Sequence, residues 1–284
     1  MMETRVSCQD KEVVISSSHP TVLIGERINP TGKAKLTAAL QAGDLQIVRE
    51  MAVTQMADGA DILDVNVGAL GVDEVSFLPK AVSAVMEEVK VPLCIDSDNP
   101  KALEAGLKVY KGKAIINSVN GQEYRLQSVL PLAKDFGAAL VCLAMDDEGI
   151  PATADRRLAV VAKIVERATA MGIPQEDLIV DCLALAVSAD SKAGVVTLEA
   201  IRRVRDEFGV NQTLGASNIS FGLPERDVIN WAFLAMAIST GVTCPVVHVS
   251  KVRAAVLATD VLLGKDDYSM RYIRAYRQRQ ASTK

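Results

Sequence analysis

The sequence predicts a single-domain α/β protein, a (β/α)8 barrel of the TIM type. Three observations predict it. Eight short β-rich runs alternate with helical patterns along 284 residues. Most of the gaps between them are long enough for the helical crossovers that parallel strands require. Polar residues follow almost every run at the same end. The candidate strands are residues 22–25, 62–65, 93–95, 114–116, 139–143, 178–180, 213–215 and 245–249. Single barrels of this kind run to about 250 residues. An open doubly wound sheet would alternate in the same way, but its dinucleotide-binding form opens on a G-x-G-x-x-G turn. No such turn occurs here.

Helical spacing is clearest in three gaps. Leu36, Ala39, Leu40, Ile47, Val48, Met51, Ala52 and Met56 form an apolar stripe close to i, i+3, i+4 periodicity. Leu158, Val161, Ile164, Val165 and Ala168 repeat the pattern before Met171 and Gly172, a helix stop. Leu198, Ile201, Val204 and Phe208 follow Thr197, which reads as an N-cap. Residues 1–19 read as an irregular lead-in, 20–265 as the barrel and 266–284 as a C-terminal helical extension. No Pro-, Gly- or Ser-rich linker divides the chain.

Composition narrows the function. Hydrophobic residues make up 49% and charged residues 23%, as in a globular core with a solvated surface. The net charge of −4 argues against a nucleic-acid partner, which calls for a basic stripe. Arg271, Arg274, Arg277 and Arg279 are locally basic and read as the solvated face of a last helix. The longest apolar run, residues 231–238, is eight residues, against about 18 for a membrane span. No membrane association and no secretory leader are expected. The five cysteines are odd in number and form no C-x-x-C pair. Four of them lie in or beside apolar runs, which suits a reducing, cytoplasmic setting. With only His19 and His248, no thiolate or imidazole metal site of the usual spacing can be drawn.

The strand ends carry the chemistry. In order they are Glu26-Arg27-Ile28-Asn29, Asp64-Val65-Asn66, Asp96-Ser97-Asp98-Asn99, Asn117-Ser118-Val119-Asn120, Met145-Asp146, Asp181 and Ser217-Asn218. In a barrel these ends converge on the rim where sites are built. A single carboxylate or amide beside a buried strand is usually a satisfied cap or turn. Seven of eight ends behaving alike point to a polar pocket that reads a ligand by hydrogen bonds. Asp and Asn together suit a heterocycle edge such as the 2-amino-4-oxo face of a pterin. A carboxylate accepts two parallel N–H bonds, and an amide both donates and accepts. A divalent cation on Asp64, Asp96 and Asp181 is the competing reading. No Ser-His-Asp set, strand-end Lys or Walker loop is present.

These residues also resemble a known family. Gly25-Glu26-Arg27-Ile28-Asn29-Pro30-Thr31-Gly32 resembles the opening motif of the pterin-binding barrels of cobalamin-dependent methyltransferases. Leu63-Asp64-Val65-Asn66-Val67-Gly68, Cys94-Ile95-Asp96-Ser97, Ile116-Asn117-Ser118-Val119-Asn120 and Gly215-Ala216-Ser217-Asn218-Ile219-Ser220-Phe221-Gly222 are similar to the later motifs, in the same order. So is Asn230-Trp231-Ala232-Phe233-Leu234-Ala235-Met236-Ala237. The resemblance covers about residues 20–265. It is to the methyltetrahydrofolate:corrinoid protein methyltransferases, relatives of the folate domain of cobalamin-dependent methionine synthase.

The resemblance implies methyl transfer between N5 of tetrahydrofolate and the cobalt of a corrinoid, within an anaerobic one-carbon or demethylation system. It implies that Asp96, Asn117 and Asp181 hydrogen-bond the pterin. It makes Asn218 the catalytic amide at N5 and places Arg226 near the bound folate. The loop at residues 221–225 departs from the family pattern. Asp64, Asn66, Asn120 and Met145 are further candidates for the folate site. No residue is expected to bind a metal. The corrinoid motif D-x-H-x-x-G is absent, so a partner corrinoid protein would bring that cofactor; relatives are homodimers. Three rivals remain: a dihydropteroate synthase-like enzyme, though its D-S-F signature is missing; a metal-dependent lyase; and a non-catalytic folate-binding protein. Neither the direction of transfer nor the ultimate methyl donor or acceptor is written in the motifs.

Overall fold

The computed structural model describes residues 2–282; Met1, Thr283 and Lys284, at the ends of the expected lead-in and extension, lie outside the described residues. The chain opens with two antiparallel strands, β1 (Thr4–Ser7) and β2 (Glu12–Ile15). The barrel follows as β3 (Ile24–Ile28), α1 (Ala34–Gln41), α2 (Gln46–Asp58), β4 (Ile62–Asn66), α3 (Glu74–Glu88), β5 (Leu93–Asp96), α4 (Pro100–Val109), β6 (Ile115–Asn120) and α5 (Glu123–Phe136). It continues as β7 (Ala139–Leu143), α6 (Ala154–Ala170), β8 (Leu178–Asp181), α7 (Ala193–Phe208), β9 (Asn211–Thr213), α8 (Arg226–Thr240), β10 (Val246–Val247) and α9 (Val249–Leu262). Helix α10 (Met270–Ser282) lies beyond.

The eight strands pair in parallel in the order β10-β3-β4-β5-β6-β7-β8-β9. A bridge between Gly215 and Val246, with Val246 N donating to Leu214 O at 3.0 Å, brings the last edges together. The expected (β/α)8 barrel is therefore what the chain forms. Two helices, α1 and α2, occupy the first crossover where one stripe was read, because Gly43 turns the chain with φ 75°. The seventh strand begins two residues earlier than expected, at Asn211.

Strand alternation sorts the side chains into two cores. One large cluster fills the space between strands and helices. A second lies inside the barrel and includes Ile24, Ile62, Cys94, Ile115, Ala139, Val141 and Ile179. It also contains Val6, Val13 and Ile15 from the N-terminal hairpin. Residues 4–15 are therefore not an irregular lead-in: one face of the hairpin closes the barrel at the N-terminal ends of its strands. Asn211 Nδ2 donates to Thr4 Oγ1 and to Ile15 O, both at 2.9 Å, which ties the seventh strand to this plug. Ser7 N donates to Lys113 O, and Tyr110 Oη donates to Ser7 O. Gly112 permits the approach, since a Cβ there would lie 2.2 Å from Ser7 O.

Thr197 is not an N-cap. Helix α7 starts four residues earlier, where Asp190 accepts from Lys192 N, and the buried Thr197 hydroxyl instead bonds Leu183 O at 3.2 Å. Among the described residues, no helix is long and apolar enough to cross a membrane.

If the hairpin is part of the core, Ile15→Ala should lower the unfolding free energy by about 2–5 kcal/mol, the usual cost of a truncated core side chain. A urea-unfolding series measures this; a loss below about 1 kcal/mol would mark the hairpin as an appendage.

Candidate active site

Five strands place their second inward residue toward the C-terminal mouth. Ile24, Ile62, Cys94, Ile115 and Ile179 point into the barrel, so the residues two positions on, Glu26, Asp64, Asp96, Asn117 and Asp181, do so as well. Register places Asp96 level with Asn66 on one side and Asn117 on the other. Neighbouring strands lie about 4.8 Å apart, so these three side chains are within reach of one ligand edge. Asp181 is level with Leu143 and Thr213 on the far side of β7.

Asn117 Nδ2 donates to Asp64 Oδ1 at 3.1 Å, so the Asp64 carboxylate backs the amide from deeper in the wall. Asp64 is 2% exposed. Burial, followed by smaller effects that include the charge of Glu26, raises its pKa, while Asn117 holds it down. Asp96 is raised further, first by burial and then by the charge of Asp64; the Asn66 amide opposes the shift. Asp181 is pushed up to about 6 by burial, against hydrogen bonds from the backbone N–H groups of Leu183 and Gly215 and the nearby charge of Arg157. Leu183 N donates to Asp181 Oδ1 at 2.7 Å.

The other expected residues divide. Asn66 Oδ1 accepts from Gly68 N at 2.7 Å, and Asn120 Oδ1 accepts from Gln122 N at 3.0 Å, so each also shapes its own turn. Asn120 Nδ2 donates to Gln122 Oε1. Met145 is partly buried past the end of β7, and its carbonyl accepts from Gly121 N. Asn218 sits in a short 3-10 turn, Ala216–Ser220, that follows β9 on the same rim. Among the described residues, none hydrogen-bonds its side-chain amide.

Arg226, the first residue of α8, donates from Nε to Ser220 Oγ at 2.9 Å and from Nη2 to Ser217 O at 2.8 Å. Its guanidinium stacks 4.5 Å from the Phe221 ring centroid. The side chain thus braces the turn that carries Asn218.

Arg226 also borders a cavity of about 360 Å³ beside this turn, bounded by Glu26, Arg27, Asn230, His248 and Lys251 among others. Asn230 is 8% exposed, and its Oδ1 has no hydrogen-bond partner among the described residues. Burial raises the pKa of Glu26 despite the charges of Lys33, Arg27 and Arg226. His248 is lowered by burial and then by Arg27 and Lys251, which favours its neutral form. Lys251 pairs with Asp227 at 3.2 Å.

Sequence reasoning missed two buried arginines. Arg125, from α5, donates to Asp98 O and Ser118 O, bridging the segments after β5 and within β6. Arg157, from α6, donates to Pro151 O, Cys182 O and Leu183 O, bridging the segments after β7 and β8. Both were visible as arginines at i−4 from an apolar stripe, Arg125 before Val129 and Arg157 before Val161. Among the described residues, no group of three His, Cys, Asp or Glu is arranged to hold a metal ion.

Residues 25–248 match the family of pterin-binding enzymes. The chain belongs to this family. The methylcorrinoid:tetrahydrofolate methyltransferase of Eubacterium limosum is 30% identical over 90% of this chain and 96% of its own. The methionine synthase of Mycobacterium tuberculosis is 32% identical over 88% of this chain, which corresponds to 22% of that larger protein. Solved structures of dihydropteroate synthase share the fold. Those from Xanthomonas albilineans and Yersinia pestis superpose with TM-scores of 0.70 and 0.66 over 91% and 92% of this chain, and 98% and 99% of their own. At 18% and 16% identity, they bear on the fold alone.

The raised carboxylates have a consequence for stability. A carboxylate with a folded pKa near 6 and an unfolded pKa near 3.9 makes its own contribution to stability largest below about pH 4, and that contribution is lost as pH rises through 6. Asp181→Asn should therefore stabilise the protein at pH 8 by roughly 1–3 kcal/mol, with the gain vanishing near pH 4. Urea midpoints at the two pH values measure it, and an equal gain at both would contradict the assignment.

Proposed function

We propose that the protein moves a methyl group between N5 of tetrahydrofolate and the cobalt of a corrinoid carried by a partner protein. The observation that carries this reading is the inward placement of Asp96, Asn117 and Asp181 on one rim that also bears the unbonded Asn218 amide. Asp96 and Asp181 accept from the N–H groups of the pterin, and Asn117 donates to a ring acceptor while Asp64 fixes its orientation. Their desolvation makes a ligand rich in N–H donors favourable, since pairing a buried carboxylate offsets the cost of burying it.

The cavity beside Arg226 receives the remainder of the folate. Its unpaired Asn230 Oδ1 accepts a donor, and Arg27, Arg226 and Lys251 face the carboxylates of the glutamyl end. Asn218, on the turn after β9, stands at N5. A tertiary amine leaves poorly, and a hydrogen bond that strengthens as N5 becomes basic lowers the barrier. The corrinoid, when docked, supplies the cobalt that accepts or donates the methyl group. This chain's residues bind the pterin and hold the methyl in line with the rim opening.

Both directions share one transition state, so the same residues serve either. The named activity of the Eubacterium limosum relative supports transfer toward tetrahydrofolate, and the protein then serves an anaerobic one-carbon or demethylation system. Four buried free cysteines, Cys94, Cys142, Cys182 and Cys244, favour a reducing cytoplasm. The exposed Val228, Trp231 and Met236 on α8 favour a homodimer.

Purified protein mixed with methyltetrahydrofolate and reduced cobalamin, followed by absorbance in both directions, tests the reaction. Asn218→Ala should keep folate affinity within about tenfold and slow transfer roughly 100-fold or more, the scale of one lost transition-state donor. Unchanged transfer kinetics would remove Asn218 from the mechanism. A tetrahydropterin without the benzoylglutamate tail should bind about tenfold or more weakly to wild type, and Lys251→Ala should narrow that gap. An equal preference in both proteins would place the tail elsewhere.

A further inference from the structure

Arg157 is the largest fully buried side chain of the molecule, 1% exposed, on an otherwise apolar stripe of α6. Burying a guanidinium is costly, and an apolar residue would fill the same place more cheaply. Among the described residues, no carboxylate hydrogen-bonds it. Nε donates to Pro151 O at 2.9 Å. Nη1 donates to Cys182 O and Leu183 O, both at 2.8 Å, and to Thr197 Oγ1 at 3.2 Å. Two of these acceptors are the carbonyls of the two residues directly after Asp181.

The geometry of that segment is unusual. Leu183 has φ 61°, a left-handed conformation that a branched side chain rarely adopts. This turn carries its N–H back onto Asp181 Oδ1 at 2.7 Å. The Thr197 hydroxyl donates to Leu183 O as well, at 3.2 Å. The Leu183 residue is thus held at its carbonyl by α6 and α7, and its amide holds the carboxylate. Removing Arg157 would take the guanidinium from the buried Cys182 carbonyl and leave Leu183 O with only its Thr197 bond, which loosens the turn.

We propose that Arg157 is a positioning residue: acting through the Leu183 turn, it aims the Asp181 carboxylate at the pterin. The proposal rests on the folate reading above. It differs from simple loop anchoring in one respect: the effect of losing Arg157 must pass through Asp181.

The test is a double-mutant cycle on the full chain with Arg157→Lys and Asp181→Asn, reading the Kd of tetrahydrofolate and the kcat and KM of methyl transfer. Each single variant should weaken folate binding about tenfold, with kcat at saturation within about threefold. The double variant should bind no worse than Asp181→Asn alone, within about threefold. Losses that multiply would overturn the proposal, because they would mean that Arg157 does not act through Asp181.

A ligand-free reading separates this outcome from failure of the folate reading. The amide proton shift of Leu183 reports its bond to Asp181 and should move upfield in Arg157→Lys; an unmoved shift overturns the proposal whether or not the wild type binds folate. Should Arg157→Lys fail to fold, Thr197→Val removes only the hydroxyl shared by Arg157 and Leu183. It should weaken folate binding about threefold, again without further effect in an Asp181→Asn background. Unchanged or multiplying losses in that series count against the proposal equally.

Discussion

The structure is organised around the burial of carboxylates at the mouth of a closed barrel. Asp64, Asp96 and Asp181 stand on inward positions, and burial is the largest influence on each. A desolvated carboxylate is tolerated only where donors are fixed in place. Asn117, Asn66 and the Leu183 and Gly215 amides provide those donors, and among the described residues none of the three carboxylates is hydrogen-bonded to an arginine or lysine side chain. The wall is therefore left with acceptor capacity that the protein itself does not use. Such a wall costs stability and confers affinity for N–H donors, a trade common at binding sites.

Fixed donors need a fixed barrel, and the opposite end supplies it. The hairpin residues Val6, Val13 and Ile15 extend the interior core past the strand starts, so the barrel has no hollow base into which the strands could slip. Asn211 fastens the seventh strand to that plug. Asp260, fully buried, accepts from Thr21 N and Oγ1 and from Arg271, locking the entry to β3 against α9 and α10. Around the mouth the same logic recurs with arginines in place of apolar groups: Arg125 and Arg157 bind carbonyls at the ends of neighbouring strands and in the segments that follow them. A barrel rim made of irregular backbone has many carbonyls and few regular partners, and a buried guanidinium answers several at once.

How much of this was legible follows from range. The alternation of strand and helix, and the Asp or Asn at seven of the eight strand ends, are local and can be read along the chain. The hairpin was not, because its strands are four residues each and their apolar positions gain meaning only from Asn211 and Ile179, far away in sequence. Arg157 and Arg125 resemble the solvated charges that flank any amphipathic helix; only their acceptors, presented by other strands, distinguish them. Thr197 has the residue type of an N-cap but stands one turn inside α7. Asn120 matches the strand-end pattern yet has both side-chain groups engaged with Gln122, the bland outcome for such a residue. The polar strand ends were readable as composition, but which side chains they face, and so how the rim divides, required the fold.

That division has a direction. Following the strand order, β4, β5 and β8 carry the carboxylates of the wall and β6 its amide, while β3 and β10 flank a cavity lined by Glu26, Arg27, Arg226 and Lys251. The turn with Asn218 stands between them, after β9. A ligand with N–H donors at one end and carboxylates at the other can satisfy both regions in only one orientation; reversed, it would set carboxylates against Asp96 and Asp181 and leave the cations unmatched. The residue at the boundary is a neutral amide. An acid there would be subject to opposing pulls, as Glu26 is, raised by burial and lowered by the charges of Lys33, Arg27 and Arg226. An amide keeps its donor whatever the charges around it, so in the proposed reaction it could follow the change in basicity at N5 while staying neutral.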